Sequence, residues 1–228
     1  MDRLTLIIPA KKEKLALPKV LDELTIYNYN SIVVLSPSDV DTIDAIKNYK
    51  NCKIIYQENE GYGDALIKGI SSVETELFAI FNADGSFNPS EIKNMINKID
   101  DKNLDILFAS RYEKNSGSDD DTIITFIGNK IFSFLGKFLF NLPITDILYT
   151  FVIGKVKKVK NLNLISNDFA FCVELPIKAF KNGLKISSIS SGRASSKAIF
   201  SDPIYEIKFH PACKENTCSE EVWYVAKS

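Results

Sequence analysis

The sequence predicts an α/β fold with a mostly parallel central sheet and helices on both faces. Its first hundred residues alternate short β-branched runs with stretches in which apolar residues recur at helical spacing. Alternation of that kind buries both element types when helices cover the two faces of a parallel sheet. The bulk numbers agree: 228 residues, 45% hydrophobic and 25% charged, is a globular balance with enough apolar side chains for a real core.

LTLII (4–8) is the first strand candidate, and Leu17, Val20, Leu21 and Leu24 follow it at helical spacing. SIVVL (31–35) and KIIY (53–56) are the next strands, residues 63–73 a helix, and ELFAIF (76–81) a further strand. Residues 88–99 predict a helix with Asn88 as cap, Pro89 in the first turn and Glu91 as the early acid. LDILFAS (104–110) ends the alternating part. EKNSGSDDD (113–121) contains no apolar residue and three successive aspartates, so a mobile loop is expected there.

Residues 123–142, IITFIGNKIFSFLGKFLFNL, approach the length and apolarity of a membrane span. Wound as a helix, Asn129, Lys130, Ser133, Lys137 and Asn141 gather along one side, which argues against a span. Two readings stay open: a helix lying in a bilayer surface with its lysines toward lipid phosphates, and a helix buried against its own domain. Residues 168–183 predict a helix that Pro176 shortens or bends and that Asn182 and Gly183 close. LKISSI (184–189) is the last strand of what is expected to be one domain over 1–200. Residues 201–228, patterned only at YEIKF (205–209), form a C-terminal extension of unknown role.

A formal net charge of −1 and a pI near 6 exclude general nucleic-acid binding, so any anionic ligand is held locally. Cys52, Cys172, Cys213 and Cys218 are too few for a disulfide scaffold, and no signal peptide precedes LTLIIPA. A reduced, cytoplasmic location is expected. His210 with Cys213 and Cys218 matches known zinc spacings poorly, and free thiols are the better reading. Of the 28 basic residues only Arg3, Arg111 and Arg193 are arginine. Arg111, after a strand, and Arg193, in a loop after LKISSI, stand where a five-donor guanidinium suits bidentate phosphate contact, although surface arginines would explain them as well.

Ligands of such sheets bind outside the carboxyl ends of the strands, where FNADG (81–85) and Arg111 fall. Asn82 and Asp84, one residue apart at a strand end, can share a divalent cation, although one of the two is only an amide. IIPAKKE takes the chain off the first strand with Pro9 and Ala10 and places Glu13 nearby. NEGYGDALIKG sets Gly61 and Gly63 at a helix start, where backbone amides can approach a phosphate or sugar.

In this order, IIPAKKE, NEGYGDALIKGI, FNADGSFNPSEI, ASRY, GNKIFSFLGKFLFNLPITD, CVELPIKAFKNGLKI and GRASSK resemble the family 2 glycosyltransferases of the GT-A fold, over roughly residues 4–197. The branch they resemble is that of dolichyl-phosphate mannose synthase and its bacterial polyprenyl-phosphate relatives. The resemblance implies inverting transfer of a hexose from a nucleotide sugar, with Mg²⁺ or Mn²⁺ on the diphosphate. It implies that Asp84 coordinates the metal with help from Ser86, and that Pro9, Ala10, Glu13, Gly61, Gly63, Asp64, Asn82 and Ala83 line the donor pocket. Arg111 and Arg193 then lie near donor or acceptor phosphates, and Asp146 near the acceptor, which is polyprenyl phosphate or a glycan. The expected location is cytoplasmic, and peripheral on the cytoplasmic face of a membrane if 123–142 lies in a bilayer surface. The sequence departs from the family at LSPSD (35–39), where an acidic, glycine-containing turn usually touches the base, at Lys11 and Lys12, at 113–121 and after about 200.

The amide at position 82 removes one negative charge from a cation site, worth roughly 4 kcal/mol per unit of cation charge at 4 Å and an effective dielectric near 20, less with water and substrate screening. A cation that takes most of its ligands from diphosphate and water needs only one or two protein oxygens, so the site is expected to bind metal mainly through the donor. A phosphomonoester acceptor is already anionic near neutral pH and needs no general base, whereas a sugar hydroxyl does. Asp146, Asp168 and Glu174 are the candidate bases, with helix capping as the ordinary role for Asp168. A nucleotide-sugar pyrophosphorylase would need a glycine-rich loop directly after the first strand, which IIPAKKEK lacks. A sugar-nucleotide-binding protein without turnover is the non-enzymatic alternative.

Overall fold

The computed structural model describes residues 3–111 and 142–191. Seven strands form one sheet: β1 (Leu4–Pro9), β2 (Asn30–Leu35), β3 (Cys52–Tyr56), β4 (Leu77–Ile80), β5 (Ile106–Ser110), β6 (Val152–Lys155) and β7 (Ile186–Ser190). Their order is β3-β2-β1-β4-β6-β5-β7. All neighbours pair in parallel except β6, which is antiparallel to both β4 and β5.

Among the described residues six helices connect the strands: α1 (Leu17–Ile26), α2 (Val40–Ile46), α3 (Tyr62–Ser72), α4 (Glu91–Asp101), α5 (Val156–Lys160) and α6 (Phe171–Lys181). Alternation along β1 assigns them to faces. Leu4, Leu6 and Ile8 join one core with Leu17, Val20, Leu21 and Leu24 of α1, Ile46 of α2, and Ile92, Met95 and Ile99 of α4. Ile7 joins the other core, with Leu66 and Ile70 of α3, Val156 and Val159 of α5, and Phe171 and Leu175 of α6.

Two expectations need correction. The helix expected from Asn88 begins at Glu91, because the Asn88 carboxamide turns back to accept from the N–H and hydroxyl of Ser90 and holds the chain in a turn. The helix expected over 168–183 spans Phe171–Lys181 and continues through Pro176 at the cost of one backbone hydrogen bond. Strand β6 and helices α2 and α5 have no counterpart in the sequence reading. The membrane-surface helix at 123–142 (apart from Leu142), the 113–121 loop, Arg193, the zinc candidates and the extension 201–228 lie outside the described residues. No helix among the described residues is long and apolar enough to cross a membrane.

Candidate active site

From β1 the chain adds β2 and β3 on one side of the sheet and then β4 on the other, so the strand order reverses between β1 and β4. The loops leaving those two strands diverge and open a crevice at their carboxyl ends. The backbone holds each loop just past its strand: Ala10 N donates to Val34 O at 2.9 Å, and Phe81 N to Ile7 O at 2.9 Å.

The loop after β1 is tied to the start of α2. Lys12 adopts a φ of 60°, and its N–H donates to Asp39 Oδ2 at 2.6 Å, while Glu13 N donates to Thr42 Oγ1 at 3.1 Å. Asp39 also caps α2, its Oδ1 accepting from Thr42 N. The unusual LSPSD turn is therefore committed to fixing the first loop. A cleft of about 360 Å³ lies between the two loops, with Lys12, Lys14, Ser38, Asp39 and Thr42 in its wall. Burial pushes the Glu13 carboxyl above the usual carboxylate range, and the negative charges of Asp84 and then Asp39 push it further. The Glu13 and Asp84 carboxylates thus lie close enough to repel each other.

The loop after β4 is clamped at both ends by aromatic side chains. Phe81 and Phe87 are buried, meet edge to face at 5.7 Å between ring centres, and pack on Phe151 at 5.8 and 4.8 Å. Between them Ala83 is buried, Gly85 takes a φ of 76°, and Asp84 is exposed. Strand β4 stops at Ile80, so the turn, and not strand alternation, aims the polar side chains. Ser86 N donates to Asp84 Oδ1 at 2.9 Å, and Asn82 Nδ2 donates to Ser86 Oγ at 3.1 Å. Among the described residues no group of three or more His, Cys, Asp or Glu is placed to hold a metal ion. One exposed carboxylate fits an ion that brings phosphate oxygens as its other ligands.

The glycine loop packs against a second loop, residues 166–168. A Cβ on Gly61 would stand 2.1 Å from Asn167 O, and one on Gly63 2.0 Å from Ser166 O, so both glycines are required by the 166–168 backbone lying against them. Asn167 O takes the Asp64 N–H at 3.0 Å, occupying one of the helix-start amides expected to face a phosphate. The Asp64 carboxylate is buried and accepts from Glu58 N, Asn59 N and Asn59 Nδ2, which makes it the organiser of its own loop. Tyr62 stacks on Phe169 at 5.0 Å and donates its hydroxyl to Thr150 Oγ1 at 2.9 Å.

Arg111 and Asp146, singled out separately by the sequence, are partners. Arg111 Nε and Nη2 donate to the two Asp146 oxygens at 2.8 and 3.2 Å, the Arg111 N–H adds a contact at 3.3 Å, and the guanidinium lies 5.0 Å over the Tyr149 ring. The Asp146 side chain is 0% exposed and that of Arg111 11%, so the Asp146 carboxylate presents no oxygen to solvent. Tyr149 also touches Phe87 at 5.1 Å, which joins the arginine to the clamp under Asp84. Nothing in the sequence marked Tyr62, Tyr149, Thr150 or Phe169, because each gains its place only from long-range packing.

Comparison with known proteins agrees with this architecture. The chain is 22% identical over 185 residues to an uncharacterised glycosyltransferase of Mycobacterium tuberculosis, covering 81% of this chain and 82% of that one. It is 26% identical over 208 residues to the UDP-N-acetylglucosamine–dolichyl-phosphate N-acetylglucosaminyltransferase of Methanococcus voltae, covering 81% and 82%. Among solved structures, glucosyl-3-phosphoglycerate synthase from Mycobacterium tuberculosis in complex with UDP superposes with a TM-score of 0.66 at 14% identity, covering 83% of this chain and 70% of that one. Mannosyl-3-phosphoglycerate synthase from Rubrobacter xylanophilus gives the same score and identity, with 83% and 65% covered. These likenesses identify the fold as GT-A. Residues 5–162 match the family model described as glycosyl transferase family 2, and the chain, a glycosyltransferase, belongs to that family.

Proposed function

We propose that the protein transfers a hexose, with inversion, from a nucleoside diphosphate sugar to a polyprenyl phosphate at the cytoplasmic face of a membrane. The observation that carries this reading is Asp84, exposed on a clamped loop at the β1/β4 crevice and within electrostatic reach of Glu13. In the reaction the bond from the anomeric carbon to the diphosphate breaks as an acceptor oxygen attacks from the opposite face. A bound Mg²⁺ or Mn²⁺ would neutralise charge on the departing diphosphate. Asp84 would hold that ion with its exposed carboxylate, which the Ser86 N–H orients. The nucleotide would lie toward Glu13 and the cleft beside Asp39, and the family resemblance adds Pro9, Ala10 and Ala83 to its surroundings.

The fate of the three candidate bases favours a phosphate acceptor. Asp146 is sealed against Arg111. Glu174 accepts from Ile165 N and Ser166 N and pairs with Lys178 at 2.7 Å, and those donors hold its carboxyl below the usual range in spite of burial. Asp168 is exposed and uses one oxygen to accept from Ala170 N at the entrance of α6. An acceptor already ionised at neutral pH needs none of them. The dolichyl-phosphate substrate in the name of the Methanococcus voltae relative points the same way.

The donor reading is tested by a thermal-shift screen of UDP- and GDP-sugars with and without Mn²⁺. Stabilisation by one nucleotide series, larger with Mn²⁺, is expected, and indifference to every compound would count decisively against a donor site. The acceptor reading is tested with Asp168→Asn. Transfer to polyprenyl phosphate should keep kcat within about threefold, because no proton has to be removed. A loss of about 10²-fold or more is what removal of a general base would produce, and it would assign a hydroxyl acceptor instead.

A further inference from the structure

We infer that Asn82 is a positioning residue that turns the Ser86 hydroxyl into a hydrogen-bond donor for the diphosphate of a bound nucleotide, leaving Asp84 as the one side chain of this loop that holds the cation. The inference rests on the donor site proposed above and specifies how that site is built.

A serine hydroxyl carries one proton and two lone pairs. In this loop Asn82 Nδ2–H points at Ser86 Oγ across 3.1 Å and engages one lone pair. The serine proton must then be directed away from residue 82, where it can meet an anion. A carboxylate at position 82 would reverse this arrangement, because it can only accept. It would take the serine proton and turn the oxygen lone pairs outward, as a cation ligand requires. Residue 82 thus decides whether Ser86 serves cation or anion.

The local geometry supports a fixed relation between the two side chains. The buried Phe81 and Phe87 hold the loop at both ends, buried Ala83 and Gly85 fix its middle, and Ser86 N is bound to Asp84 Oδ1 at 2.9 Å. That backbone bond places the Ser86 Cα beside Asn82, and the Asn82 amide then selects the rotamer of the hydroxyl. A loop with one carboxylate and a phosphate-directed hydroxyl is poorly suited to a bare cation and well suited to a cation arriving with its diphosphate. The amide is therefore part of how donor and metal are taken up together.

The test uses the full chain as wild type, Ser86→Ala, Asn82→Asp and the double variant. UDP and GDP affinities are measured calorimetrically in EDTA, and Mn²⁺ affinity by electron paramagnetic resonance without nucleotide. In wild type, Ser86→Ala is expected to weaken metal-free binding of the preferred nucleotide about tenfold, the size of a hydrogen bond to a charged group, and to leave Mn²⁺ affinity unchanged. Asn82→Asp should tighten Mn²⁺ alone by about tenfold. In that background Ser86→Ala should leave metal-free nucleotide affinity unchanged and weaken Mn²⁺ instead. Equal nucleotide losses in both backgrounds, or weaker Mn²⁺ binding by Ser86→Ala in wild type, would overturn the role given to Asn82 while the donor site stands. Failure of wild type to bind either nucleotide, with or without Mn²⁺, would remove the donor site and the inference together. Should Asn82→Asp not fold, the two affinities of Ser86→Ala in the wild-type background decide the question alone.

Discussion

Asp84→Ala is expected to lower kcat/KM by about 10²- to 10³-fold while leaving the melting temperature nearly unchanged. One unit charge beside a divalent ion is worth about 8 kcal/mol at 4 Å and an effective dielectric near 20, and screening by water and by the diphosphate on the same ion cuts this to about 3–4 kcal/mol, which the rate equation converts to that factor. The unchanged stability follows from exposure: Asp84 accepts only the Ser86 N–H within its own turn, and the turn is anchored by Phe81 and Phe87. The two readouts separate catalysis from folding. Asp84→Asn keeps the side-chain shape and removes the charge, so it should fall nearly as far and need more Mn²⁺ for half-maximal rate. Retention of a third or more of wild-type kcat/KM by Asp84→Ala would place the cation on other residues.

The elements legible in the sequence were those whose signal is carried by local side chains. Leu17, Val20, Leu21 and Leu24 were chosen by spacing, and all four are buried under the sheet. The five alternating strands and β7 appear where β-branched runs predicted them. Helix α2 escaped because its amphipathic face is thin: Val40 is exposed, and only Thr42 and Ile46 are buried. Strand β6 escaped because four residues, one of them a glycine, carry little propensity of their own, and its antiparallel partners on both sides supply its order.

The site divides along the same line. Asp84 and Glu13 could be picked out because each stands a few residues beyond a strand end, and chain connectivity alone brings those ends together. The glycines were also picked out, but their partner could not be. A G-x-G before a helix looks identical whether a phosphate or a second loop lies against it, and here the second loop is residues 166–168, about a hundred positions away. Asn82 posed the opposite difficulty. Read from composition it is a weakened ligand, whereas its hydrogen bond to Ser86 gives an amide a use that a carboxylate could not fill.

Asp146→Ala is expected to be the most destabilising single change at the site, by about 3–5 kcal/mol, read from urea denaturation midpoints. The substitution leaves the Arg111 guanidinium, with 11% of its side chain exposed, without the carboxylate that takes two of its N–H groups and its backbone N–H. Its stacking on Tyr149 cannot replace that charge, and the disturbance reaches Phe87 and the Asp84 loop through the aromatic contacts. Activity should therefore fall with stability in Asp146→Ala. Replacing both partners by apolar residues of similar volume, Arg111→Met with Asp146→Leu, removes the stranded charge and should recover most of the lost stability. If that stable double variant regains full turnover, the pair is purely structural. If it stays inactive, the guanidinium acts on the reacting phosphates, and Asp146 serves to hold it there. A loss under about 1 kcal/mol in Asp146→Ala would mean that Arg111 finds water or another partner, and the buried pair would not be what fixes the end of β5.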